Sequence, residues 1–398
     1  MAWKQAGLMA ILVAGLATGV SAQQAWQLAG QLEAPAGARI GPLTASASGA
    51  LAAGVIWQED GTFAGRIWSL PDGLVLTRVE GVFPALLPLR FAQRFDDPQG
   101  LSGAVYAHSR RALRAWQVVD GAPLIDQTFE GETLVNDIAF DAWNGRYMVS
   151  HDIGAIDVLE RDGAWVAQIE ADALRPHEDF TFSDDGRLMV LASAGFTLTA
   201  QMRDLPYDCA QADCETAYRD LVGSYGPYER LLAVDRAGAR LASLPVIDPA
   251  HAGEAMGATR PVVVPTVRIW AELQDWRSDM PAVLELTGFE TPPYLGAFSE
   301  DGTRFLSLEE GGRLSLWDAM DGSLLMQREG VQGAAFVPGG EALFLHLTTG
   351  ESWIAGAKEG VLRQQLPQPA AEALFGEGGR VMVTYTPGEP LARVWRQP

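Results

Sequence analysis

The chain has 398 residues, 48% of them hydrophobic, with 50 acidic against 29 basic side chains and a formal charge of −21. That length and apolar content suffice for a large buried core. The acidic balance argues against nucleic acid and against acidic lipid surfaces, because both need a basic face; a basic protein partner is permitted.

The chain opens MAWKQAGLMAILVAGLATGVSAQQ, with a basic start at Lys4, an apolar run from Leu8 to Val20 and small residues ending at Ala22. This reads as a secretory signal peptide over residues 1–22, with the mature domain at 23–398 starting near Gln23. The run is shorter than the roughly 20 residues of a membrane span, so a retained anchor is the weaker alternative. No cysteine follows the cleavage site to take a lipid, and no later apolar stretch is long enough to cross a bilayer. Lysine occurs only at Lys4 and Lys358 while arginine, alanine and glycine abound, as in proteins from GC-rich bacterial genomes. An exported chain of that kind is expected in the periplasm.

Downstream, one pattern recurs: short apolar runs separated by acidic and glycine-rich turns. The first copy spans residues 44–76, with Trp68 closing its third run. The second ends in ALRAWQVVDGAPLI, with Trp116 in the same place. The third starts at Asp137 and carries Val158 there, and the fourth opens at Asp179. The fifth starts at Leu231, is interrupted, and resumes at TVRIWAEL with Trp270. The sixth, residues 295–327, reads LGAFSEDGTRFLSLEEGGRLSLWDAMDGSLLMQ and is the most regular. The seventh begins at Ala334 and the eighth at Ala373, ending on Trp395.

Each unit predicts a four-stranded blade, so the chain is expected to be an all-β propeller with eight blades, or seven if one weak unit is an elaboration. The eighth unit lacks a fourth strand. AWQLAGQLE, residues 25–33, is expected to supply it and to close the ring, pairing edges otherwise left open. The tryptophans at 68, 116, 270, 317 and 395 recur in register and read as blade packing.

The segment GAFSEDGTRFLSLEEGGRLSLWDAMDGSLL resembles a WD-repeat blade, whose third strand ends in Trp-Asp. Elsewhere Trp68 is followed by Ser, Trp116 by Gln, Trp270 by Ala and Trp395 by Arg, and no unit carries the Gly-His pair of that family. The resemblance implies a propeller and a tendency to bind proteins. It carries over no catalytic residue.

The repeat is broken at residues 203–230, which hold Cys209 and Cys214 and four of the eight tyrosines, Tyr207, Tyr218, Tyr225 and Tyr228. In an oxidising compartment the cysteines are expected to pair. DCETAYRDL reads as a short helix with Asp213 as its N-cap. The tyrosines are candidates for a partner-binding patch, because such rings bury area at low entropic cost. The alternative is that they pack the insertion onto its own blade. A second insertion, residues 246–265, splits the fifth unit.

The histidines at 108, 151, 177, 251 and 346 show no metal-ligand spacing, so no metal is expected. His177 with Glu178 and Asp179 forms the one local acid–base cluster, although a solvated loop accounts for it. Asp184–Gly186 and Glu300–Gly302 recur at one place in the repeat and read as hairpin turns. Nucleophile-elbow, P-loop and dinucleotide motifs are absent, and no cofactor is expected. The leading expectation is a non-catalytic periplasmic scaffold or assembly factor that binds a protein. The alternative is a hydrolase-like enzyme or small-ligand binder, with residues such as Asn136, Asp137, His151 and Asp152 meeting at the mouth of the central channel.

Overall fold

A computed structural model describes residues 25–397 apart from 47, 81–87, 95–102, 131–132, 171–176, 184–185, 194–195, 203–204, 207, 210–211, 220–222, 227–228, 248–261, 272, 274–279 and 359. The described strands form eight antiparallel sheets, each built on a path of four strands from the channel outward, in sequence order in blades 1 to 7; in blade 5 a short fifth strand, Val262–Val263, pairs beside this path with Arg240–Ile247. Innermost strands touch in the order of the blades, and the first strand of blade 1 also meets that of blade 8, so the ring is closed.

The eighth blade takes its outer strand from the beginning of the chain. Gln27–Glu33 pairs antiparallel with Leu391–Arg396, Leu28 opposite Trp395 and Leu32 opposite Ala392. Leu32 is fully buried there, among side chains of blades 8 and 1. One chain end is thereby hydrogen-bonded to the other.

The core is divided into eight apolar layers, one at each junction between neighbouring blades. This accounts for the sequence pattern. A second strand such as Leu51–Trp57 is buried on both faces, so it reads as a continuous apolar run. An outer strand such as Leu324–Arg328 is exposed at Leu324, Leu325 and Gln327 and half-buried at Met326 and Arg328, and reads as mixed.

The turn linking first and second strands, the inner turn, explains the recurrent Ser/Asp-x-x-Gly. In blade 6 the Ser299 hydroxyl accepts from Arg304 N at 3.0 Å, while Gly302 N donates back to the Ser299 carbonyl at 2.8 Å. Gly302 adopts φ 68°, a left-handed conformation that costs an L side chain energy. Asp301 accepts from Thr303 N within the same turn, as a hairpin residue does.

The recurrent tryptophans pack between blades, and three of them are satisfied locally. Trp270, Trp317 and Trp395 donate their indole N–H to Ser243, Ser307 and Thr384 on the adjacent second strand, at 2.8, 3.1 and 2.8 Å. In blade 1 the matching position is Gly54, and among the described residues the buried Trp68 indole nitrogen has no hydrogen-bond partner. A Cβ on Gly54 would lie 2.3 Å from the Leu43 side chain, so Leu43 fills the place of the missing hydroxyl.

Candidate functional site

The innermost strands end at one mouth of the channel, and one register position recurs there. It is Phe140 opposite Tyr147, Phe182 opposite Met189, Phe298 opposite Phe305, Phe336 opposite Leu343 and Phe375 opposite Met382. Phe91 of blade 2 stands in the same place opposite Val105, while Ala45 and Val234 hold it in blades 1 and 5. The six phenylalanines are half-buried. Phe140 rests edge-on against Tyr147 with ring centres 5.1 Å apart, and Phe298 lies at the same distance from Phe305. These two rings thus lean on their own blades.

Together with Thr44, Arg90, Gln93, Ser183, Arg236 and Glu300 they line a cavity of about 700 Å³ to which all eight blades contribute. The volume lies within the roughly 300–1,000 Å³ of ligand pockets. Arg236 of blade 5 pairs with Glu300 of blade 6, which also accepts from Gly339 N of blade 7 at 2.9 Å. Both partners are exposed, 57% and 38%, so water screens the pair and it positions the rim more than it stabilises the fold.

Deeper in the channel wall, Arg90 donates to Asp137 Oδ1 at 2.9 Å and to the Ile138 carbonyl at 2.7 Å. His108 Nε2 lies 3.1 Å from the same carboxylate oxygen. Burial pushes the Asp137 carboxyl up, but His108 and Arg90 outweigh it and hold it below its ordinary value. Asp137 is therefore committed to the junction of blades 2 and 3.

The four residues expected to converge at a channel mouth lie at one end of the paired first and second strands of blade 3, with Val135 opposite His151 and Asp137 opposite Ser150, but Asp137, His151 and Asp152 bond to other partners. His151 instead contacts Asp157 at 2.8 Å, and Gln168 donates to the other Asp157 oxygen at 2.9 Å. The Asp152 carboxylate accepts from Leu134 N at 2.9 Å, and Asn136 is exposed on the first strand of blade 3. His346 stands apart in blade 7, with burial pushing its imidazole down. His177 opens the first strand of blade 4 opposite Ser193, ahead of Glu178 and Asp179. His251 lies outside the described residues. Among the described residues, no group of three or more His, Cys, Asp or Glu is placed to hold a metal ion.

The first insertion has a second centre at the junction of blades 3 and 4. Gly223–Gly226 pairs with Phe196–Gln201 as the outer strand of blade 4, and Glu229 opens blade 5, so the inserted part ends before 223. Cys209 and Cys214 are disulfide-bonded, with Cα atoms 5.2 Å apart. A short helix α1, Cys214–Arg219, packs on the outer strand of blade 3, and Asp213 caps it by accepting from Thr216 N at 3.0 Å.

Arg146 of blade 3 holds this insertion. It is 1% exposed and donates to the Tyr218 hydroxyl and the Pro206 carbonyl, each at 2.9 Å, and to Glu160 at 3.1 Å. Its guanidinium lies 5.3 Å from the centre of the Tyr218 ring. Tyr218 is wholly buried, which places its ring in the core that seats the insertion and not on an outer patch. Tyr225 stands opposite Leu198 in the outer strand of blade 4. Tyr207 and Tyr228 lie outside the described residues.

The phenylalanine ring was not among the residues singled out from sequence. Its signal was present: AF-D, TF-S, AF-S and related pairs precede the inner turn in unit after unit. Read blade by blade, each Phe looks like ordinary core. Only ring closure makes six of them neighbours.

No family model matches the chain, and no curated protein matches it. Solved structures match widely. The chain is similar to the computationally designed Ika8 protein at 13% identity and TM-score 0.59, covering 93% of this chain and 99% of that one. It is also similar to a chain of the Mitotic Checkpoint Complex at 12% identity and TM-score 0.49, covering 74% and 84%. At such identities the first likeness speaks to the propeller fold alone.

Proposed function

We propose that this protein is an exported, non-catalytic binding propeller, a scaffold that receives an apolar or aromatic segment of a partner protein in the phenylalanine-lined channel mouth. One observation carries the reading: six half-buried Phe rings converge from separate blades on a cavity of about 700 Å³. Aromatic walls give an inserted side chain contact area at low entropic cost. The rim charges Arg236 and Glu300 already pair with each other, which favours holding over chemistry. The leader and the Cys209–Cys214 disulfide support export to an oxidising compartment such as the periplasm.

The test is affinity purification from the envelope fraction with wild type and with Phe336→Glu, a change at the cavity wall. Recovery of one specific protein by wild type and at least tenfold less by the variant supports the reading. Equal recovery by both variants places the partner elsewhere. The cavity volume also suits a small ligand; a thermal shift with small molecules, abolished by Phe336→Glu in a protein that recovers no partner, would favour that second reading.

A further inference from the structure

The disulfide of the insertion lies against a buried cation. Arg146 Nη2 donates to Cys209 Sγ and lies 3.6 Å from Cys214 Sγ. At the matching place in blades 5 and 6, Arg240 and Arg304 donate to the Gly302 and Gly340 carbonyls of the next blade. Blade 3 has turned the same arginine onto two sulfurs.

Disulfide sulfurs are neutral, weak acceptors, so they give a guanidinium little. A thiolate in the same place would give it a full opposite charge in a desolvated setting, where such a pair counts for more than at the surface. The arrangement favours the reduced, ionised state. The two sulfurs are also unequal, since Cys209 is partly exposed and Cys214 is 4% exposed.

We propose that Cys209–Cys214 is a reversible redox site that exchanges with an external dithiol, and that Arg146 stabilises the thiolate its reduction releases. The reductant's thiolate attacks Cys209 Sγ, the S–S bond breaks, and its electron pair leaves on Cys214 Sγ beside Arg146. The reductant's second thiolate then attacks its own sulfur in the mixed disulfide and releases Cys209. Two electrons pass to the protein, one proton goes to Cys209 and one to solvent, and the reductant leaves as a disulfide.

Other charges face this site. Glu160, 38% exposed, accepts from Arg146 Nε, and the buried Asp141 interacts electrostatically with the same guanidinium. Asp208, Asp213 and Glu215 flank the cysteines on the insertion and are exposed, so water screens them more than it screens the buried guanidinium. The Tyr218 phenol, pushed up by burial, stays neutral.

The experiment uses the whole mature protein, reduced with dithiothreitol and freed of it. Iodoacetamide alkylation of Cys209 and Cys214 is followed by mass spectrometry from pH 4 to 9. One thiol is expected to react with a half-point at least one pH unit below the roughly 8.5 of a free cysteine. In Arg146→Gln the half-point is expected to rise by at least one unit, and reduction to need at least tenfold more dithiothreitol. A wild-type half-point at or above about 8.5 overturns the proposal whatever the variant does. Where Arg146→Gln fails to fold, Tyr218→Phe serves instead: it keeps the guanidinium and is expected to keep the low half-point, and losing it counts against Arg146 as the cause.

Discussion

Arg146 and Tyr218 are 72 residues apart in sequence and joined by a hydrogen bond of 2.9 Å inside the protein. The arginine begins the second strand of blade 3, and the tyrosine lies on the insertion of blade 4. A position that clasps the next blade elsewhere in the ring here clasps the insertion.

Removing either partner should loosen that insertion. Tyr218→Phe deletes one acceptor and is expected to cost about 1 kcal/mol. Arg146→Met leaves the Pro206 carbonyl and the Tyr218 hydroxyl without their donor and is expected to cost about 3 kcal/mol. Urea unfolding measures both, and limited proteolysis should cut the Arg146→Met insertion first.

The tryptophan pairs allow a cycle. Ser307→Ala leaves the Trp317 indole unpaired and should cost about 1–3 kcal/mol. Gly54→Ser, which would supply Trp68 with the missing hydroxyl, should instead destabilise by about 1–3 kcal/mol because Leu43 occupies the space. Combined with Leu43→Ala it should cost less than the sum of the single changes, with a coupling above about 0.5 kcal/mol by denaturation.

Asp141 is wholly buried, and its carboxyl is pushed up to about 6 by burial, against the hydrogen bonds from Asn144 and Trp143. A folded pKa above the unfolded 3.8 means its contribution to stability is complete below 3.8 and is lost as pH rises through about 6. Glu229, raised chiefly by burial, acts in the same sense. Asp157, like Asp137, is lowered despite burial, by His151 and Gln168. These two act in the opposite sense: their contribution is present above the unfolded value and lost as pH falls below it. Between pH 4 and 6.5 the Asp141→Asn variant should therefore show a flatter stability profile than wild type, by an amount on the order of 2 kcal/mol in urea titrations.

The closing strand should be indispensable. Leu32→Ala removes a fully buried side chain and is expected to cost about 2–5 kcal/mol. Deleting residues 23–33 leaves Leu391–Arg396 with an open edge, and size-exclusion chromatography should show that protein associating through it.

Blade count and turn chemistry were legible in the sequence because they are local, and the two-ended closure followed from counting strands, since the eighth unit lacked the one that residues 25–33 could supply. A Ser/Asp-x-x-Gly turn, an apolar run of fixed length and a Trp in register each act within some ten residues. The disulfide was legible too, since Cys209 and Cys214 are only five positions apart in sequence. The tyrosines were not sorted by the same reading: burial of Tyr218 depends on Arg146, a residue of another blade that nothing near 218 reveals. Asp137, His151 and Asp152 likewise sit at one end of a strand pair, yet their side chains are engaged by Arg90 and His108, by Asp157 and by Leu134 N, which nothing near them in sequence reveals.

By itself, then, the sequence determined the propeller, since hydrophobic period and turn residues act over short distances and repeat. Tertiary structure alone decided which repeated residues meet. Ring closure turned one Phe per blade into a shared cavity, and the approach of blades 3 and 4 set a buried guanidinium against a disulfide. Both depend on contacts between blades, whose geometry arises only when the eight sheets pack around one axis.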